Sequence, residues 1–251
     1  MKLKKEGNII VNNYSKKNEQ LSKLKVILND NINNLGNRWT SHLGLFLGSS
    51  ELARILWLNE IYKLNINVPG SIIEFGSQYG ASFNIFNMLR MIYEPWNSSR
   101  YLYSFTTFEQ GFVDLNTKDG EMVSIGDYGV SENWKTTLES ILEINSQPSP
   151  VGNLYNIIEG DVSITLPLFL DTNQHAVFSL AHFDLDVYVP TKNALELIIK
   201  RMPKGSILVF DEINHPAFPG ETLAIQEVLG IANLKLIKSQ FQPFSAYCIK
   251  D

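Results

Sequence analysis

Two short acidic clusters stand at the ends of apolar runs. HFDLDVY carries Asp184 and Asp186, and VFDE carries Asp211 and Glu212. Each follows a run (VFSLAHF, then SILVF) whose continuous hydrophobicity reads as a strand buried on both faces. Between them TKNALELIIKRM reads as a helix and PKG as its stop. A strand–helix–strand unit is right-handed and brings both strand ends to one edge of the sheet. Asp184, Asp211 and Glu212 are therefore expected to converge. Three carboxylates together repel unless they are protonated or bound to a cation, and hard oxygen donors suit a divalent metal. Each acid also has a plainer use, because an Asp at a strand end can cap the next helix. Asp186 either enters the chemistry, orients Asp184 or bonds the turn backbone. His182 alternates with Asp184 along the strand, so it reaches the same region or stays a core residue. His215, just past the second acid pair, is a general-base candidate.

The second cluster of chemical interest lies upstream. The strand-like SIIEF is followed by Gly76, Ser77 and Gly80, then by a helical pattern. Glycines at a strand-to-helix turn let the backbone approach a ligand closely. The spacing Glu74-x-Gly76-x-x-x-Gly80 departs from the Gly-x-Gly-x-x-Gly of dinucleotide binders. It resembles the acid-and-glycine loop of S-adenosylmethionine (SAM) methyltransferases. The plainer alternative is a turn that only reverses the chain.

These residues need a scaffold, and the rest of the chain supplies one. From Ser71 onward strand and helix patterns alternate: SIIEF, YLYSF, LYNIIE, VFSLAHF and SILVF are the strands. LKLIKS and FSAYCIK are separated by a short link and should pair antiparallel. Alternation with a closing hairpin predicts an open α/β sheet, and ligands in such sheets bind at the carboxyl ends of the strands. Residues 1–20, rich in Lys and Asn, read as a loose arm. LSKLKVILNDNINNL and SSELARILWLNEIYKL read as helices, the second capped by Ser49 or Ser50. The expected division is an N-terminal arm with helices over 1–66 and one catalytic domain over 67–251. Thr107 to Gly129 shows no period and is long for a loop, as lids and binding loops are. Phe112, Tyr128, Asp114 and Asp119 in it could face a polar substrate. A helix resumes at SENWKTTLESIL, with Ser131 as its cap.

Composition narrows the function. The hydrophobic share of 44% with 19% charged residues is ordinary for a soluble enzyme. A net charge of −5 and the lack of a basic stripe argue against a nucleic-acid partner. The lone Cys248 excludes an internal disulfide and a cysteine-built zinc site. No apolar run approaches the ~20 residues of a membrane span, and no signal peptide is read at the start. No membrane partner is expected, and the expected compartment is the cytoplasm.

Six segments in order, VPGSIIEFGSQYGAS, FTTFEQGF, EGDVSITLPLFL, FDLDVYVPTKNALE, PKGSILVFDE and PAFPGETLAIQEVLG, resemble the SAM-dependent sugar O-methyltransferases. These are typified by the macrocin and mycinamicin enzymes, with the calicheamicin-pathway sugar O-methyltransferases nearest. The resemblance covers roughly Val68 to Gly230. It implies a class I, Rossmann-like methyltransferase sheet, SAM as cofactor, magnesium near the acceptor hydroxyl, and a small sugar or glycoside as substrate. It places Asp184, Asp211 and Glu212 on the metal. Glu74, Gly76, Ser77, Gly80 and Ser82 fall in the SAM loop, and Gly160 and Asp161 beside the adenine. One position departs from the pattern: Thr106 stands where relatives carry an acid, which implies weaker SAM binding or a substitute in Glu109. The N-terminal helices suggest a subunit interface and hence a homo-oligomer, dimer or higher. Two other readings use the same residues. Asp184-Leu185-Asp186 resembles the Asp-x-Asp of metal-dependent glycosyltransferases, and a non-catalytic SAM- or nucleotide-binding domain would share the glycine loop. Within the leading reading, a vicinal phenol could also be the acceptor.

Overall fold

The computed structural model describes residues 3–12 and 15–251. It opens with a hairpin of β1 (Leu3–Glu6) and β2 (Ile9–Asn12), followed by α1 (Ser15–Asn31) and α2 (Ser49–Asn65). Strands and helices then alternate: β3 (Ser71–Phe75), α3 (Ala81–Tyr93), β4 (Leu102–Thr106), α4 (Trp134–Ser146), β5 (Tyr155–Glu159) and α5 (Val162–Thr172). The chain continues through β6 (Phe178–Phe183), α6 (Tyr188–Ile198), β7 (Ile207–Phe210), α7 (Pro219–Leu229), β8 (Ile237–Lys238) and β9 (Ala246–Ile249). The sheet has seven strands in the order β5-β4-β3-β6-β7-β9-β8. The first five are mutually parallel, and β9 runs antiparallel to both β7 and β8. This is the open, mostly parallel sheet with an antiparallel C-terminal pair that the alternation predicts.

Period-two alternation divides the side chains between two cores. Ile73, Phe75, Phe105, Ala181, Phe183, Leu208 and Phe210 point toward α5, α6 and α7. Ile72, Leu102, Leu180, Ile207 and Val209 point the other way and meet α2, α3 and α4. Helix α2 buries Trp57, Leu58, Ile61 and Tyr62 on this second face. By contrast, no residue from 19 to 56 is buried, and Val26, Ile27, Trp39, Leu43, Leu45 and Leu47 are exposed.

The expected loose arm is in part ordered. Gly7, with φ of 61°, and Asn8 form the two-residue connection between β1 and β2, where a positive φ at the first central position matches the twist of the strands. The hairpin docks on the long loop after β4. Lys5 Nζ lies 2.6 Å from Asp127 Oδ2, Asn8 Nδ2 donates to Gly129 O, and Tyr128 N donates to Asn8 O. Met1, Lys2, Asn13 and Tyr14 of that expected arm lie outside the described residues. Two cap assignments also change. Gly48 holds the cap position of α2, because both serines are already helical, and Asn133 holds that of α4. Among the described residues no helix is long and apolar enough to cross a membrane.

Arg100 ties the start of the sheet together. Its buried guanidinium donates to Glu94, to the carbonyls of Val68 and Ile66, and to Ser179 Oγ at 2.6 Å. Removing it strands the largely buried Glu94 carboxylate without its charge partner. We expect Arg100→Met to cost about 3–5 kcal/mol of stability by urea denaturation. A loss below ~1 kcal/mol would show that this network contributes no more than a surface pair.

Candidate active site

The two carboxylates at the heart of the site are placed by register. His182 pairs with Val209 and Phe183 with Phe210 across β6 and β7. One residue past these strands, Asp184 and Asp211 are side by side, with Asp211 N donating to Phe183 O at 3.1 Å. Alternation puts both on the α2 side of the sheet, the side of Leu180, His182 and Val209. Nitrogen and oxygen atoms of His182, Asp184 and Asp211 all come within 4.8 Å of one another. Glu212 lies outside that trio. Its Oε2 stands 3.7 Å from His215 Nδ1 and, although buried, has no hydrogen-bond partner.

Helix α2 supplies a cation to this pair. Arg54 Nη2 donates to Asp184 Oδ2 at 2.9 Å and to Ser82 Oγ at 3.2 Å, and Nη1 donates to Asp211 Oδ1. Burial works against the Arg54 charge, but Asp211 and Asp184 outweigh it and hold the guanidinium firmly protonated. Burial likewise opposes ionisation of Asp211, yet Arg54 keeps its carboxyl below the usual range. The other acids are not so served. Burial, then repulsion from Asp211, raises the proton affinity of Asp184. Burial and Asp184 raise Asp186, and burial and Asp186 raise Glu212. Glu221 on α7, wholly buried, is pushed up to about 8 by burial despite accepting from Glu212 N. Crowded hard oxygens, one of them orphaned, with a single guanidinium among them fit a further cation of the magnesium type.

A cavity of about 330 Å³ opens at the carboxyl ends of β3, β4 and β6, where the strand order reverses. Its walls include Gly76, Ser77, Ser82, Thr106, Gly160, Asp161, Asp184, Asp186 and Glu212. Gly76 has φ of 87°, and a Cβ there would fall 1.8 Å from the Asp184 carbonyl oxygen, so the glycine loop packs directly on the acidic strand end. Gly80, with φ of 82°, starts α3. Glu74 is elsewhere: it is buried in the sheet with Oε2 3.3 Å from His182 Nδ1, and it does not line the cavity. Asp161 Oδ1 accepts from Ser163 N and caps α5. Glu109 does not substitute for the missing acid at Thr106, because its carboxylate accepts from Asn133 N at the start of α4. Asp114 lines the cavity instead. Asp119, also expected to face a ligand, accepts from Tyr188 N and anchors the long loop to α6. The Tyr188 hydroxyl donates to Glu227, beneath Lys118, so this ring packs the same junction.

A second cavity, of about 210 Å³, adjoins the acidic cluster. It is lined by Leu3 and Ile10 of the hairpin and by Tyr128, Asp211, Glu212, His215, Phe218 and Phe244. Tyr128 and Glu212 line both cavities. His215 packs against Phe218 and Phe244, and its Nδ1 accepts from Ala217 N at 3.2 Å. Burial lowers its pKa, against the opposing pull of Asp211, and so favours the neutral ring. In the tautomer that this bond selects, Nε2 carries the proton and neither ring nitrogen is free to accept one, which runs against the base role expected for it. Sequence reasoning missed Arg54, although the signal was available: it shares a helical stripe with Trp57, Leu58, Ile61 and Asn65, all buried. A charge on a buried stripe implies a buried partner.

A glycine loop at the reversal point of a seven-stranded sheet, facing acids across the cleft, defines a class I SAM-dependent methyltransferase. No family model and no curated protein matches the chain. Among solved structures, a crystal structure of the calicheamicin methyltransferase CalS11 aligns with a TM-score of 0.88 and 32% identity, covering 95% of this chain and 94% of that one. The apo structure of CalS11, described as a TDP-rhamnose 3'-O-methyltransferase, aligns at 0.83 with 30% identity over 95% and 96%. The O-methyltransferase NovP shares the fold at 0.61, with 15% identity over 79% of each chain. The chain belongs to the family of CalS11, and it is a SAM-dependent O-methyltransferase.

Glu221 offers a test of the charge balance. Its folded pKa lies above its unfolded value of about 4.5. The folded state therefore binds the extra proton, and stability present below pH ~4.5 is lost as pH rises toward 8. We expect Glu221→Gln, melted with EDTA from pH 5 to 8, to lose less stability than wild type by on the order of a few kcal/mol. Parallel curves would remove Glu221 from this account.

Proposed function

We propose that this enzyme transfers the methyl group of SAM to a hydroxyl of a sugar carried on a nucleotide, a polysaccharide or a glycosylated metabolite. The observation that carries the reading is the common wall of the two cavities, Tyr128 and Glu212, which sets a cofactor-sized space against a smaller one beside the acids. The relative CalS11 acts on TDP-rhamnose, so a nucleotide-linked deoxyhexose is the first acceptor to try. In the larger cavity, Gly76, Ser77 and Ser82 would hold the methionine end, and Gly160 and Asp161 the adenine, while Gly80, which is not on its wall, starts α3 behind the loop. Thr106 offers a hydroxyl to the ribose side, with Asp114 on the facing wall.

SAM supplies an electrophilic methyl group on a sulfonium, and displacement at it needs oxygen, carbon and sulfur in line. Holding two reactants so aligned can contribute about 7–11 kcal/mol. Magnesium, held by Asp184, Asp211 and Glu212, would orient the acceptor hydroxyl and lower its pKa. Asp186 is proposed to take the hydroxyl proton: its carboxylate lines the cavity and has no hydrogen-bond partner among the described residues. His182, bonded to Glu74, positions the neighbouring acids, and His215 donates to the acceptor from Nε2. The glycosyltransferase and non-catalytic readings gain nothing from the family.

The assay is methyl transfer from labelled SAM to nucleotide-linked deoxyhexoses and to catechol, with magnesium or EDTA. We expect methylated sugar, lost in EDTA. Asp186→Asn should lower kcat about 10²–10⁴-fold while SAM affinity stays within a few-fold. Turnover of catechol alone would replace the sugar reading, and full activity of Asp186→Asn would assign the proton elsewhere.

We further propose that the enzyme works in the cytoplasm, with residues 67–251 supplying the glycine loop and the acids, while the N-terminal segment 1–66, beyond the Leu3, Ile10 and Arg54 that it adds to the site, joins subunits through its exposed apolar side chains. Deleting residues 1–40 should reduce the mass on gel filtration with light scattering and leave SAM affinity unchanged within a few-fold. An unchanged mass would rule out this interface.

A further inference from the structure

We propose that Arg54 is a built-in competitor of the divalent cation: it occupies the Asp184–Asp211 pair when no cation is present and leaves it when one binds. The inference rests on the cation site proposed above. One guanidinium bridges both carboxylates through separate nitrogens and leans on Ser82 Oγ. Those two acids form the centre of the only His/Cys/Asp/Glu cluster with metal-ligand spacing among the described residues. A cation of the magnesium type draws carboxylate oxygens to about 2.0–2.1 Å and tolerates little distortion. The oxygens that Arg54 holds cannot turn to such an ion while they accept its N–H groups.

Arg54 does not satisfy the cluster. Glu212 Oε2 remains buried without a partner, and Asp186 and Glu221 add further acid around the same point. The site thus still favours more positive charge than one guanidinium brings, which points to displacement rather than to permanent replacement of the metal. The side chain has the means to move. It keeps 21% of its surface exposed, and its stem is long and flexible. The consequence is an ordered site. Without the ion, Asp184 and Asp211 are kept together instead of splayed by repulsion, and ion binding frees a cation-bearing arm beside Ser82, on the wall of the larger cavity.

The test uses the whole chain. Mn²⁺ is titrated by EPR into wild type, Arg54→Gln and Asp184→Asn, each checked for folding by thermal melt. In parallel, the guanidinium Nη signals of wild type are followed by ¹⁵N NMR as Mg²⁺ is added. We expect wild type to bind Mn²⁺, Asp184→Asn to lose it, and Arg54→Gln to bind about tenfold tighter, because the competent state is no longer diluted by the bridged one. We also expect Mg²⁺ to release the rotationally restricted Nη signals of Arg54. Persistence of those signals at Mg²⁺ saturation would overturn competition, since ion and guanidinium would then share the site. So would equal or weaker Mn²⁺ binding by Arg54→Gln. If no variant binds Mn²⁺, or Asp184→Asn binds it undiminished, the cation reading fails first and the competition with it. Should Arg54→Gln not fold, the NMR titration on wild type decides alone.

Discussion

Carboxylates taken out of water and set side by side repel each other, and each one loses hydration as well. This chain gathers Asp184, Asp186, Asp211, Glu212 and Glu221 at the carboxyl ends of two adjacent strands. Everything around them responds to that load. The β6–β7 register fixes the separation of the first pair. Helix α2 delivers a guanidinium to it from the layer packed on that same side of the sheet. The glycine loop must lack a side chain at Gly76 because the Asp184 carbonyl fills the space. A cofactor loop, an acid cluster and an N-terminal helix are therefore one mechanical unit, even though the chain supplies them from three distant segments.

The same packing explains how one sheet edge offers two cavities. The larger lies at the reversal of strand order, where the loops after β3, β4 and β5 part to leave a cleft. The smaller lies over the ends of β7 and the C-terminal strands, roofed by the N-terminal hairpin. Tyr128 joins them. Its backbone bonds the hairpin, its ring meets Phe112 and Phe218, and burial followed by the nearby Asp186 holds its hydroxyl protonated. A neutral phenol is a fitting divider between two cavities that meet at an acid cluster, because it excludes water without adding charge.

The sheet was legible because its strands are apolar runs, and such runs at regular intervals with helical stretches between them admit few arrangements. The acids were legible because they end those runs. What escaped is physically of a different kind. Arg54 reads as one more residue of an amphipathic helix until its position on the buried stripe is counted. The hairpin consists of two four-residue strands, LKKE and IIVN, too short for a period to stand out amid the Lys- and Asn-rich start, and only Gly7-Asn8 marks its turn. Side-chain direction was the other gap. The sequence order of Glu74, Glu109, Asp119 and His215 could not tell that the first turns into the sheet, that the next two cap helices, and that a backbone N–H sets the tautomer of the last.

The hairpin that roofs the smaller cavity has an evolutionary consequence. Leu3 and Ile10 reach that space from strands that belong to neither hydrophobic core. Substitutions there alter the shape of the smaller cavity while leaving the two hydrophobic cores, the glycine loop and the acid cluster untouched. Ligand preference can drift at the hairpin under a light stability constraint, so closely related chains should diverge in what they accept sooner than in how they react.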